Sequence, residues 1–177
     1  MKVITAPEKY DLKDGEVGIF LAGGITNCDN WQKDIIKRLE DDTHESDKKN
    51  FVIFNPRRDN FDIKKDDPIE QITWEFKMLE KSHVFSMYFC DGISDQPICM
   101  YELGRNIVRM QNRFPTDWQE RIAISVESGY KRKTDVIEQV SLATNDLVKI
   151  NTKLDIDVLR DYHRYFIVKA ALTDKRH

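Results

Sequence analysis

Glu102 stands where a carboxylate is unexpected. In Pro97-Ile98-Cys99-Met100-Tyr101-Glu102-Leu103-Gly104-Arg105-Asn106 a helix begins at Pro97, and its opening turns are almost wholly apolar apart from this one acid. With Pro97 as the first helical residue, Ile98, Tyr101, Glu102 and Arg105 share a face. The spacing allows two readings. Glu102 is exposed and pairs with Arg105 or Asn106 one turn on, or it faces a pocket, where the positive end of the helix dipole helps keep it ionised. An ionised carboxylate held that way can act as a nucleophile or stabilise positive charge. Gly104 costs about 1 kcal/mol relative to alanine inside a helix, which is tolerated where something packs close.

Three other places carry side chains or turns of chemical interest. Gly23-Gly24 is either a tight strand-to-helix turn or a point of close backbone approach to a ligand. It lacks the spacing of GxGxxG and of GxxxxGK[ST], so phosphate cradling is not indicated. Asn55-Pro56-Arg57-Arg58 is either a turn followed by solvated arginines, or a site where Asn55 bonds a ligand and an arginine meets a carboxylate or phosphate. Trp74 and its neighbours Phe76, Met78 and Leu79 are core candidates, and Glu75 is placed to pair with an arginine. His83 ends a helix and is read first as a C-terminal cap.

These residues need elements to position them. Residues 17–22 (VGIFLA), 51–54 (FVIF), Val84–Phe89 (VFSMYF) and 121–126 (RIAISV) are continuous apolar runs, as strands covered on both faces read. Residues 147–150 make a fifth, and residues 2–5 a short edge segment in an otherwise irregular lead-in over 1–16. Helices are expected at 30–39, 68–83, from Pro97 to about Met110, at 135–143 and at 155–172, with 40–50 a charged loop. Strand and helix alternate about five times, which predicts an α/β fold: one domain over 1–177 with an open parallel five-stranded sheet and helices on both faces. In such sheets the ligand lies beyond the carboxyl ends of the strands, where strand order reverses. Residues just after each strand should therefore share a pocket.

The bulk numbers set the frame. A chain of 177 residues, 40% hydrophobic and 33% charged, suits one soluble globular domain. A net charge of −3 gives no reason to expect a nucleic-acid partner. No apolar run approaches the roughly 18 residues of a membrane-spanning helix, so no membrane partner is expected. Cys28, Cys90 and Cys99 look too few and too scattered for disulfides or a thiolate metal site, which points to a reducing, cytoplasmic location. The histidines have no metal-ligand spacing, and no metal or cofactor is expected.

Taken in order, these pieces resemble the nucleoside 2-deoxyribosyltransferase family, in its divergent deoxyribosyltransferase-like branch. The series runs Ile19-Phe20-Leu21-Ala22-Gly23-Gly24-Ile25, Asn30-Trp31-Gln32, Phe54-Asn55-Pro56-Arg57-Arg58-Asp59, Gln71-Ile72-Thr73-Trp74-Glu75, then Pro97-Ile98 leading into Glu102-Leu103-Gly104. Gly129-Tyr130-Lys131-Arg132 with Asp135-Val136 resembles that branch's later strand-to-helix turn, so the resemblance spans roughly residues 17–140. It implies a flavodoxin-like sheet and an enzyme that cleaves the N-glycosidic bond of a deoxynucleoside and passes the sugar to another base. Glu102 is then the nucleophile, meeting an oxocarbenium-like centre. A second group must handle the proton of the departing base; Asp95 is the first candidate and His83 the second. Gly23, Gly24, Ile25, Trp31, Asn55, Arg57 and Asp91 are the expected substrate-binding residues. Partners are a nucleoside or nucleotide and a free base.

The chain departs from the family in two places. His83 stands where members commonly carry an acid before the third strand, and Asp91 and Asp95 match the family's aspartates only loosely. Two alternatives therefore stand beside the transferase: an N-glycosidase using the same Glu102, and a non-catalytic nucleotide-binding module. The resemblance also implies a homo-oligomer with sites completed by a neighbouring subunit. The helix at 155–172 either serves that interface or packs on its own sheet.

Overall fold

Apolar runs without polar alternation need cover on both faces. The chain supplies it by laying helices across the sheet between strands. The computed structural model describes residues 1–59 and 66–174. Its strands are β1 (Lys2–Thr5), β2 (Val17–Gly23), β3 (Phe51–Asn55), β4 (Val84–Phe89), β5 (Ile122–Val126) and β6 (Ile150–Asn151). They form one sheet in the order β1-β3-β2-β4-β5-β6, with every neighbouring pair parallel. Without β1 this is the flavodoxin-like order. Five strands are predicted from sequence and six are found. The sixth is the edge segment β1, four residues long, beside β3.

The helices are α1 (Trp31–Asp42), α2 (Glu45–Lys48), α3 (Pro68–Lys81), α4 (Pro97–Arg113), α5 (Lys133–Thr144) and α6 (Ile156–Asp174). Strand residues alternate between two cores. Phe20, Ala22, Phe54, Phe85, Met87 and Ile124 meet α3, α4 and α5 through Trp74, Met78, Leu103, Ile107, Val136 and Val140. Ile19, Leu21, Ile53, Val84 and Tyr88 meet α1 and α6 through Trp31, Ile35, Leu39, Leu159 and Ile167. Each fully buried Leu, Ile or Phe contributes about 1.5–3 kcal/mol, which explains why the polar-poor strands sit in the middle of the sandwich. α6 covers its own sheet, the simpler of the two roles predicted for residues 155–172.

Local signals set the boundaries. Asn30 Oδ1 accepts from Lys33 N at 3.2 Å to start α1. Asp67 Oδ1 accepts from Ile69 N at 2.8 Å, ahead of Pro68, to start α3. The single turn α2, inside the segment predicted as loop, is capped by His44 Nδ1, which accepts from Ser46 N. The fifth predicted strand begins later than expected, at Ile150: Asn145 and Asp146 both adopt positive φ after α5, and Leu147 N, which donates to Thr144 O at 3.1 Å, closes the turn.

Cys28 and Cys90 are joined as a disulfide, contrary to the expectation from sequence. They lie 62 residues apart, yet they follow β2 and β4, which are neighbours in the sheet. Strand order brings them together, and linear spacing does not reveal strand order. Cysteine usage therefore does not mark a reducing compartment. Among the described residues no helix is long and apolar enough to cross a membrane.

Candidate active site

From β2 the chain moves to β3 on one side and then crosses back to β4 on the other. The carboxyl ends of β2 and β4 consequently part at the point where strand order reverses. A cavity of about 200 Å³ opens there. Gly23 at the end of β2, Gly24, Ile25 and Thr26 after it, Pro56 after β3, and Ser94 and Gln96 after β4 form its walls. The first turns of α4 (Pro97, Ile98, Cys99, Glu102) and Glu75 of α3 complete it.

The glycine pair is required by geometry. Gly23 has φ +149°, and a Cβ there would overlap Tyr88 O and come within 2.8 Å of Trp31 Cζ2. A Cβ on Gly24 would overlap Cys90 Sγ and lie 2.6 Å from both Cys28 Sγ and Gln96 Oε1. The pair is thus a tight turn, and it also lines the cavity.

Glu102 faces the cavity from the second turn of α4. Burial, then the neighbouring Glu75 carboxyl, raise its pKa to about 7, against a smaller opposing pull from Arg105. Sequence reasoning expects an ionised carboxylate near neutral pH; desolvation instead leaves it near half-protonation. Glu75 is also pushed up by burial, with Gln71 Nε2, which donates to its Oε1 at 2.8 Å, pulling the other way. Gln71 Nε2 also donates to Pro56 O at 2.7 Å, tying α3 to the β3 turn.

Gln96, the residue before α4, has φ +49° and is 95% buried (relative exposure 5%). Rather than capping the helix, its side chain turns inward. Nε2 donates to Cys90 O at 2.7 Å, while Oε1 has no hydrogen-bond partner among the described residues.

The structure gathers Glu102, Gly23, Gly24 and Ile25 of the predicted site, and separates the others from the cavity. Asp95, first candidate for the proton, is exposed and pairs with Lys131 at 3.3 Å. His83 precedes β4 and so lies at the amino edge of the parallel sheet, where its Nδ1 accepts from Gly18 N at 3.1 Å. Neither lines the cavity. Trp31 is fully buried, stacks on Tyr88 with ring centroids 4.9 Å apart, and donates from Nε1 to Gly24 O at 2.9 Å. It holds the turn from behind. Asn55 Oδ1 accepts from Arg57 N at 3.1 Å within its own turn. Arg57 donates to Cys28 O at 2.9 Å and Asp29 O at 2.6 Å, so it fastens the loop after β2. Asp91 N donates to Glu127 Oε2 at 2.6 Å, and Asp91 faces a separate shallow depression with Asn27 and Asp29.

Glu75 is the site residue that sequence reasoning assigns elsewhere, to an arginine. Its one available signal is its position next to Trp74, on the flank of a buried helix face. Among the described residues no group of three or more His, Cys, Asp or Glu is arranged to hold a metal ion.

The arrangement is a cavity with two carboxyl groups that influence each other, one apolar wall and a backbone wall without side chains. That suits a reaction in which positive charge develops on a ligand. No curated protein matches the chain. Residues 16–114, over half of the chain and including every wall of the cavity, match the family described as nucleoside 2-deoxyribosyltransferase like. The chain belongs to the nucleoside 2-deoxyribosyltransferase-like family.

Proposed function

We propose that this protein cleaves the N-glycosidic bond of a 2′-deoxynucleoside by attack of ionised Glu102 on C1′, and passes the sugar from the resulting glycosyl ester to a second base. The observation that carries the proposal is the pair of raised-pKa carboxyls in one cavity at the strand-order reversal. Two desolvated carboxyls in one cavity titrate as a pair. The reactive form of the singly protonated pair carries the proton on Glu75: Glu102 is then free to attack and Glu75 protonates the departing base; an incoming base returns the proton to Glu75 as it displaces Glu102. The two carboxyls repel a phosphate, which favours a nucleoside over its 5′-phosphate.

Incubation with a 2-deoxy-2-fluoroarabinosyl nucleoside, followed by mass mapping, is expected to find one sugar adduct on Glu102. An adduct on another residue, or turnover that survives Glu102→Ala, overturns the assignment. Supplying a second base separates the outcomes: exchange into a new nucleoside supports transfer, and base release alone makes the protein an N-glycosidase.

A further inference from the structure

The cavity's backbone wall is backed by sulfur. Cys28 and Cys90 sit directly behind Gly24, so closely that a side chain on Gly24 would run into both sulfurs. Both cysteines are also bonded through their carbonyls to neighbours of the cavity: Cys90 O accepts from Gln96 Nε2 at 2.7 Å, and Cys28 O from Arg57 Nη2 at 2.9 Å. Cys28 is partly accessible, whereas Cys90 is 2% exposed. An incoming thiol therefore meets Cys28 first.

We propose that Cys28 and Cys90 form a reversible thiol–disulfide latch that sets the shape of the cavity wall at Gly24 and Gln96. A dithiol reductant attacks Cys28 Sγ, Cys90 leaves as a thiol, and the second thiol of the reductant frees Cys28, so the reductant ends as a disulfide. Oxidised glutathione reverses this, releasing two molecules of glutathione. Two free thiol groups must move apart to van der Waals separation. Gly24 lies against both sulfurs and Gln96 is bonded to Cys90 O, so separation displaces the wall. The oxidised form keeps the wall set; the reduced form loosens residues 24–30 and weakens ligand retention.

The test uses the full chain under dithiothreitol or oxidised glutathione, with hydrogen–deuterium exchange as the main readout because it needs no substrate. Reduction is expected to raise exchange at residues 24–30 and 91–96 by at least fivefold, with β2 and β4 unchanged. The double variant Cys28→Ser/Cys90→Ser should exchange like the reduced protein in either reagent, and Cys99→Ser should respond like the parent. Equal exchange in both reagents, or a double variant that still responds, overturns the latch. The ligand arm rests on the proposed function: calorimetry with a deoxynucleoside should show several-fold weaker binding after reduction. Absence of nucleoside binding in both states, with the exchange change present, counts against the proposed substrate and not against the latch.

Discussion

Glu102 and Glu75 titrate as a pair, so the rate should report the pair. Only the singly protonated pair holds both the attacking anion and the proton donor, so kcat/KM should be bell-shaped in pH, with an alkaline limb that falls through about 7 as the last proton leaves. Glu75→Gln removes the like charge and the titrating donor, so the alkaline limb should disappear and the acid limb should report Glu102 alone. The same variant loses the proton donor, so turnover of ordinary purine deoxynucleosides should fall by about 10²–10⁴-fold. N7-methylated purine deoxynucleosides, whose base leaves neutral without a proton, should be spared. Equal losses on both substrates would remove Glu75 from the acid role. Glu102 stood out in the sequence as an acid among apolar helix residues, but its spacing left an exposed ion pair and a cavity-facing carboxylate both open, and only the ordered family motifs favoured the second. Glu75 did not stand out, since its meeting with Glu102 depends on α3 and α4 lying side by side. His83 shows the opposite error. A residue that precedes a parallel strand lies at the amino edge, and the topology already placed it away from the ligand.

The turns and helices that carry these side chains make their own predictions. Gly23 and Gly104 look alike in the sequence but differ in the fold. Gly23→Ala forces a Cβ onto Tyr88 O at φ +149° and should destabilise by roughly 1–3 kcal/mol, with loss of activity. Gly104 is exposed, and a Cβ there meets nothing within 4 Å. Gly104→Ala should therefore stabilise α4 by about 1 kcal/mol, raising Tm by ~2–4 °C in thermal melts. The close packing expected at Gly104 from sequence is absent among the described residues. Strand cores were readable because full burial leaves unbroken apolar runs. The roles of Asn55, Arg57 and Trp31 were not, because each is used by backbone carbonyls or amides that no pattern of side chains announces.

For the molecule as a whole, acid and base act from opposite sides. His163 on α6 is fully buried, its two ring nitrogens each bonded at 2.7 Å to Ser86 of β4 and Ser125 of β5. Burial pushes its pKa down from 6.5 to about 3. The neutral ring therefore contributes stability that is complete above about 6.5 and is lost as pH falls toward 3, since the unfolded chain takes the proton first. Glu102 has the opposite sign. Its folded pKa lies above its ordinary 4.5, so its contribution is present below that value and is lost as pH rises through about 7. Glu102→Gln should then raise Tm by a few degrees at pH 8 and by less at pH 5. His163→Gln should flatten the fall in Tm between pH 6.5 and 4. Melts between pH 4 and pH 8 check both.

The sheet's two rims carry a last consequence. One margin is β1, only four residues long, and the other is β6, only two. A foreign extended chain needs a run of unpaired amides and carbonyls to add itself on, and neither border offers more than a few. Brevity at the margins thus protects the molecule from polymerising through its backbone, and it leaves the long apolar strands sealed in the interior.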